Sequence, residues 1–214
     1  AADNTFATPL IQNPVDYGAD LVVHSTTKYI DGQGRTIGGA VLGSKELIPD
    51  IRYFGRITGP SMSPFNAWIL YKSLETLELR ITRQCANAME LAETLENHPL
   101  IENAAYPLLK SFPQFELAKK QMRMGGGLVT FRIKGNRKRA FKFMDALNEC
   151  TLMANLGDSQ TIVTHPASTT HSRLTQEERD KMGITDNLIR VSLGLESNEI
   201  IKSDILQALD KSNG

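Results

Sequence analysis

Apolar residues recur along the chain at two spacings, and each predicts its own kind of element. Within 128–133, Val129, Phe131 and Ile133 alternate with polar neighbours, which predicts a half-buried strand. Residues 187–193 split the same way. Leu188, Arg190 and Ser192 share one face, and Ile189, Val191 and Leu193 share the other. Short apolar runs predict further strands over 21–24, 36–42 and 101–106. The helical spacing is clearest where Leu74, Leu77, Ile81, Cys85, Ala88, Ala92 and Leu95 follow one another at three- and four-residue steps. This predicts one long helix, opened by Ser63 as N-cap and Pro64 at N1 and stopped before Pro99. Other helices are expected over 9–17 (with Gly18 just past the end), 44–54, 113–122, 137–147, 175–182 and 198–209. Thr175 and Glu178 have the spacing of a capping box. Residues 55–62 read as an irregular link.

Composition narrows the class. The chain has 214 residues, 41% hydrophobic and 22% charged, enough for one sizeable core or two small ones. Lys+Arg and Asp+Glu both count 24, so no net charge attracts nucleic acid or an anionic membrane. No run of 18 apolar residues suits a bilayer span, and the first residues lack a signal-peptide pattern. Cys85 and Cys150 are far apart and in no metal spacing, and read as free thiols in a reducing compartment, the cytosol. His165 and His171 have no carboxylate or thiol to complete a metal set and read as structural, so no metal is expected. Arg137-Lys138-Arg139 reads as a solvated helix face.

The candidate chemistry lies in Leu21-Val22-Val23-His24-Ser25-Thr26-Thr27-Lys28. A short apolar run ends in hydroxyl side chains, and one lysine follows. Open α/β sheets bind ligands at such strand ends. The hydroxyls of Ser25 and Thr27 suit a phosphate ester, and the amine of Lys28 suits covalent capture of a carbonyl. Together they are the minimum needed to hold pyridoxal phosphate. On local chemistry alone the same residues read first as a Ser/Thr turn and a solvated loop lysine. Read alone, Asp3 is a turn cap, Arg190 an exposed strand arginine and His24 a structural residue.

The run Asp3-Asn4-Thr5-Phe6-Ala7-Thr8-Pro9, then Gly18-Ala19-Asp20-Leu21, then His24-Ser25-Thr26-Thr27-Lys28-Tyr29, resembles the Cys/Met-metabolism family of pyridoxal-phosphate enzymes. The likeness continues through Ser63-Pro64-Phe65, Ala86-Asn87-Ala88, Tyr106-Pro107, His165-Pro166-Ala167-Ser168 and Asn187-Leu188-Ile189-Arg190-Val191. It implies an α/β chain of the fold-type I, aspartate-aminotransferase-like class. Residues 1–80 would be the end of the large, cofactor-binding domain and 81–214 a C-terminal α+β domain. The implied cofactor is pyridoxal 5′-phosphate, bound covalently by Lys28. Asp3 would face its ring nitrogen, Thr5 would lie close to the ring, and Ser25 and Thr27 would hold the phosphate. Arg190 would grip the substrate α-carboxylate, with Asn155 in a further substrate-site segment.

Two departures resemble one branch of the family, the sulfhydrylases acting on O-succinylhomoserine. The turn Asp31-Gly32-Gln33-Gly34-Arg35 lacks the histidine of the lyase and synthase branches, and Asn155 stands where many of those carry serine. The implied activity is γ-replacement on an O-acylhomoserine, with sulfide giving homocysteine, a step of methionine biosynthesis. The alternatives are methionine γ-lyase, cystathionine γ-synthase or lyase, and a non-catalytic folded module. In the family much of the chain precedes Asp3, and that portion and a neighbouring subunit supply a ring-stacking tyrosine and further phosphate ligands. The sequence is therefore expected to be the C-terminal portion of a longer protein or one piece of a split one. The implied partners are an amino-acid substrate, a sulfur nucleophile, the N-terminal portion and further subunits of a cytoplasmic homotetramer.

Overall fold

The computed structural model describes residues 1–213. The chain builds two sheets and strings them on one helix. The first sheet has three strands, β1 (Ala2–Asp3), β2 (Leu21–Ser25) and β3 (Gly39–Gly43), in that order. β1 runs parallel to β2, pairing Asp3 with Val23, and β3 runs antiparallel to it, pairing Ser25 with Gly39. The turn from β1 to β2 holds α1 (Thr8–Ile11) and a 3-10 turn over Pro14–Tyr17. After β3 come α2 (Ile48–Thr58), α3 (Pro64–Leu74) and α4 (Leu77–Glu96).

The second sheet comprises β4 (Ile101–Ala105), β5 (Leu128–Ile133), β6 (Thr151–Leu152), β7 (Ile162–Thr164) and β8 (Leu188–Ser192), ordered β4-β5-β8-β7-β6. Between and after them lie α5 (Phe115–Gln121), α6 (Arg137–Asp145), α7 (Gln176–Lys181) and α8 (Asn198–Lys211). The alternation read from the sequence sets the inner face. Val129, Phe131 and Ile133 of β5 and Ile189 and Val191 of β8 pack with α4, α6 and α8 in one core. Phe131 meets Phe143 edge-on at 5.8 Å. A smaller core joins Ile11, Tyr29 and Leu156 to Leu77, Ile81 and Cys85 on the first turns of α4. The amphipathic stripe of α4 thus serves both cores in turn. Among the described residues no helix is long and apolar enough to cross a membrane.

Several boundaries differ from the pattern-based expectation. The long helix is two helices, broken at Glu75 and Thr76. The Ser73 carbonyl accepts from the N–H of Thr76 (3.2 Å), the Thr76 hydroxyl (3.2 Å) and the Arg80 guanidinium (3.0 Å), which draws it out of the helical ladder. Leu74 falls at this break and is half exposed rather than core. The helix expected over 9–17 is split because Pro14 holds Asn13 extended. The helix expected at 44–54 begins at Ile48, with Pro49 in its first turn, and runs on to Thr58, where Gly59 caps it. The short strands β6 and β7 carry no alternation long enough to read. Ser63 and the Thr175–Glu178 capping box stand as expected.

Candidate active site

Lys28 leaves the end of β2 in a tight turn. Its N–H donates to the Ser25 carbonyl (3.3 Å), and its own carbonyl accepts from the N–H of Gly32 (2.8 Å). Its Nζ donates to Oδ1 of Asn155, which comes from the loop between β6 and β7. The Asn155 carbonyl accepts from a terminal nitrogen of Arg190 (3.1 Å), and the same nitrogen reaches Oγ1 of Thr164 (3.3 Å). The amine and the guanidinium therefore meet at Asn155, on its side-chain oxygen and its main-chain carbonyl, coming from the turn after β2, the 153–161 loop and β8. Burial lowers the pKa of Lys28, and the positive charge of Arg190 lowers it further. A lysine so placed gives up its proton more readily than one in water. Nε of Arg190 is buried and has no partner within the chain. A carboxylate bound there would satisfy it with charge-assisted bonds.

Asp3 lies one relay away. Hydrogen bonds from the Thr5 hydroxyl and the Thr5 N–H (2.9 Å) hold its carboxyl below the usual aspartate range and so keep it ionised. The Thr5 hydroxyl oxygen accepts from the N–H of Ser25 (2.8 Å). The relay runs Asp3, Thr5, Ser25, Lys28, Asn155, Arg190. Asp3 itself faces an open cleft of about 450 Å³ lined by Ala2, Asn4, Phe6, Ala7, Gln12 and Pro14. Thr27 stands apart from it, because its hydroxyl is engaged with the peptide of Gly38 (3.0 Å to N, 3.4 Å to O). Thr8 closes the Asp3 loop with φ +59°, a left-handed conformation rare for a β-branched residue. Strain of this kind gathers at functional sites.

Some contributors were not visible in the pattern. Gly157 has φ +78°, and a Cβ there would lie 2.8 Å from the Tyr29 nitrogen and 3.0 Å from the Lys28 carbonyl carbon. Only glycine lets the Asn155 loop press on the lysine turn this closely. Arg80, Gln84 and Asn87 are buried along α4 beside its apolar stripe. Gln84 donates to the Asp158 carbonyl (2.7 Å), and Asn87 to those of Gly194 (3.0 Å) and Glu196 (3.1 Å). A second stripe of polar residues at helical spacing was the available signal. His24 is buried beside Asp3, and burial lowers its pKa. Both ring nitrogens of His165 are held by the protein, by the Ser168 hydroxyl (2.8 Å) and the Asp186 carbonyl (2.9 Å).

A strand-end lysine with a depressed pKa and an incompletely satisfied arginine are a donor set for a carbonyl cofactor and an amino-acid carboxylate. The cofactor that suits such a set is pyridoxal phosphate. Comparison with known proteins agrees. A family model described as Cys/Met metabolism PLP-dependent enzyme matches residues 1–210. An O-succinylhomoserine sulfhydrylase of Pseudomonas aeruginosa is 48% identical over 209 residues, 98% of this chain and 52% of that protein. An L-methionine gamma-lyase of Treponema denticola is 46% identical over 211 residues, 98% of this chain and 53% of its own length. The crystal structure of cystathionine gamma synthase from Xanthomonas oryzae pv. oryzae in complex with cystathionine superposes with a TM-score of 0.95 at 37% identity, over 99% of this chain and 55% of that one.

The chain belongs to the Cys/Met-metabolism family of pyridoxal-5′-phosphate-dependent enzymes, and its fold is theirs. It spans about half the length of the curated relatives it matches.

Proposed function

We propose that the protein catalyses γ-replacement on an O-acylhomoserine, with O-succinylhomoserine and sulfide giving homocysteine and succinate. The observation that carries this reading is the convergence of the Lys28 amine, the Asn155 amide and the Arg190 guanidinium. When bound, pyridoxal phosphate supplies an aldehyde that captures amines and a ring that accepts an electron pair from the substrate α-carbon. Lys28 is the residue that captures the cofactor at rest. The lowered pKa of its free amine would suit Nζ to take a proton from the substrate α-carbon and return one along the substrate. Arg190 orients the substrate by its α-carboxylate. Asp3, ionised, would favour a proton on the ring nitrogen, and Ser25 would donate to the phosphate, joined by Thr27 once its hydroxyl leaves the Gly38 carbonyl. Asn155, which accepts from the free Nζ in the chain without cofactor, would belong to the substrate segment. The succinate then leaves the γ-carbon and sulfide adds there.

In this reading residues 1–80 complete a cofactor domain and 81–214 form the substrate-gripping domain. The remaining length of the relatives would supply the other side of the site. Elimination without a nucleophile is the second reading, supported by methionine gamma-lyases of nearly the same identity. Assaying O-succinylhomoserine with sulfide, with cysteine and with neither separates the outcomes. Homocysteine formed only with sulfide is expected. Cystathionine as the main product, or 2-oxobutanoate with no added nucleophile, would contradict it.

A further inference from the structure

We infer that Arg80 is a positioning residue for Lys28, acting through the backbone that follows it. The inference rests on Lys28 being the cofactor lysine. Arg80 stands on the first turn of α4 and is only 4% exposed. Its guanidinium donates to the carbonyls of Tyr29 (2.7 Å), Ile30 (3.1 Å) and Ser73 (3.0 Å), and its Nε to Oγ1 of Thr76 (3.1 Å). A rigid planar fork thus fixes two consecutive carbonyls next to the lysine and anchors them to the α3–α4 break.

The turn is shaped around that fork. Gly32 has φ +68°, and a Cβ on it would lie 1.9 Å from a terminal nitrogen of Arg80. The N–H groups of Asp31 and Gly32 close the turn onto the carbonyls of Thr26 (2.9 Å) and Lys28 (2.8 Å). Burial works against the charge on Arg80, and the nearby carboxylate of Asp31, fully buried, supports it. Asp31 is in turn held by the N–H (2.6 Å) and Nε (3.1 Å) of Arg35, whose terminal nitrogen donates to the Ser73 hydroxyl (2.7 Å). Gly157 presses on the Lys28–Tyr29 peptide. The direction in which Nζ leaves the turn is therefore fixed first by contacts with the backbone around it, to which the amine adds its own bond to Asn155.

The test uses Arg80→Lys, Arg80→Gln and Gly32→Ala in the cofactor-free protein. Hydrogen exchange of the amides in residues 26–32 is expected to quicken at least tenfold in Arg80→Gln and Gly32→Ala, and less in Arg80→Lys, with residues 128–133 unchanged. Acylation of Lys28 by acetic anhydride across pH, read by peptide mass spectrometry, gives the second measure. Its midpoint is expected to rise in Arg80→Gln and to be partly restored in Arg80→Lys, because a slack turn releases the amine from its half-buried place beside Arg190. If Arg80→Gln does not fold, the other two variants carry the test. A lower melting temperature with an unmoved Lys28 profile, or unchanged exchange in 26–32, would overturn the proposal. Both readouts are made without cofactor. Retention of the visible cofactor band by Lys28→Ala would instead overturn the functional reading.

Discussion

The two sheets differ in how far each closes its own core. The five-stranded sheet is sealed by α4, α6 and α8, and the inward residues of β5 and β8 are fully buried. The three-stranded sheet and the helices after it leave large apolar side chains in the open. Ile37 is 84% exposed, and Tyr53, Phe54, Ile57, Phe65, Trp68 and Tyr71 are each more than half exposed. Clustered exposed apolar residues mark surfaces made to be covered. The difference teaches that stability and chemistry are held in different places. The sealed sheet anchors Arg190, while Lys28 hangs from the open one, and the site forms where the Asn155 loop bridges them.

Substitutions can break or sharpen this division. The largest effect belongs to Lys28→Ala. Turnover should fall by about 10⁴-fold or more, since proton transfer by a positioned group alone contributes roughly 10²–10⁴-fold. The urea midpoint should stay close to that of the parent protein. A large loss of stability would show that the site residue also holds the fold. Phe131→Ala should do the reverse and cost about 3–5 kcal/mol in urea unfolding, because it empties the centre of the sealed core.

Asp204 comes next. Its carboxylate accepts the N–H groups of Asn148, Glu149 and Cys150, each at 2.9 Å. Burial works to raise its pKa, but these N–H donors and Gln207 together outweigh it and bring it below the ordinary value. An acid held below its unfolded pKa, about 3.9, contributes stability that is fully present above that value. The contribution disappears as pH falls through the folded value. Asp204→Asn should therefore cost about 2 kcal/mol at neutral pH, and the gap between the two proteins should close in acid. A gap that does not narrow at all as pH falls below about 3.9 would contradict this. The smallest effect is expected at Trp68, the sole tryptophan. Trp68→Ser should change the stability of this chain by no more than about 0.5 kcal/mol, as for exposed side chains generally. Strong quenching of its fluorescence by iodide would report the same exposure.

What the sequence made legible follows the same division. In the sealed sheet one face is buried throughout, so Val129, Phe131 and Ile133 alternate cleanly and the strand reads at once. In the first sheet the strand that matters ends in Ser25, Thr26, Thr27 and Lys28, which local chemistry alone leaves open between a turn and a ligand site. The longer run of motifs narrowed that choice. The link between the sheets was not legible, because it depends on contacts distant in the chain. Asn155 meets Lys28 across 127 positions, and Gly157 reveals its role only through the peptide it touches. Arg80 is hidden for another reason: a polar residue beside the apolar stripe of α4 looks the same in sequence whether it is solvated or, as here, buried.

The most direct test of the account is covalent. The full-length protein, loaded with pyridoxal phosphate, is reduced with borohydride, digested and mapped by mass spectrometry. The account predicts one pyridoxyl group per chain, carried on Lys28 alone. A label on another lysine, or none on a protein that shows the visible cofactor band, would contradict it.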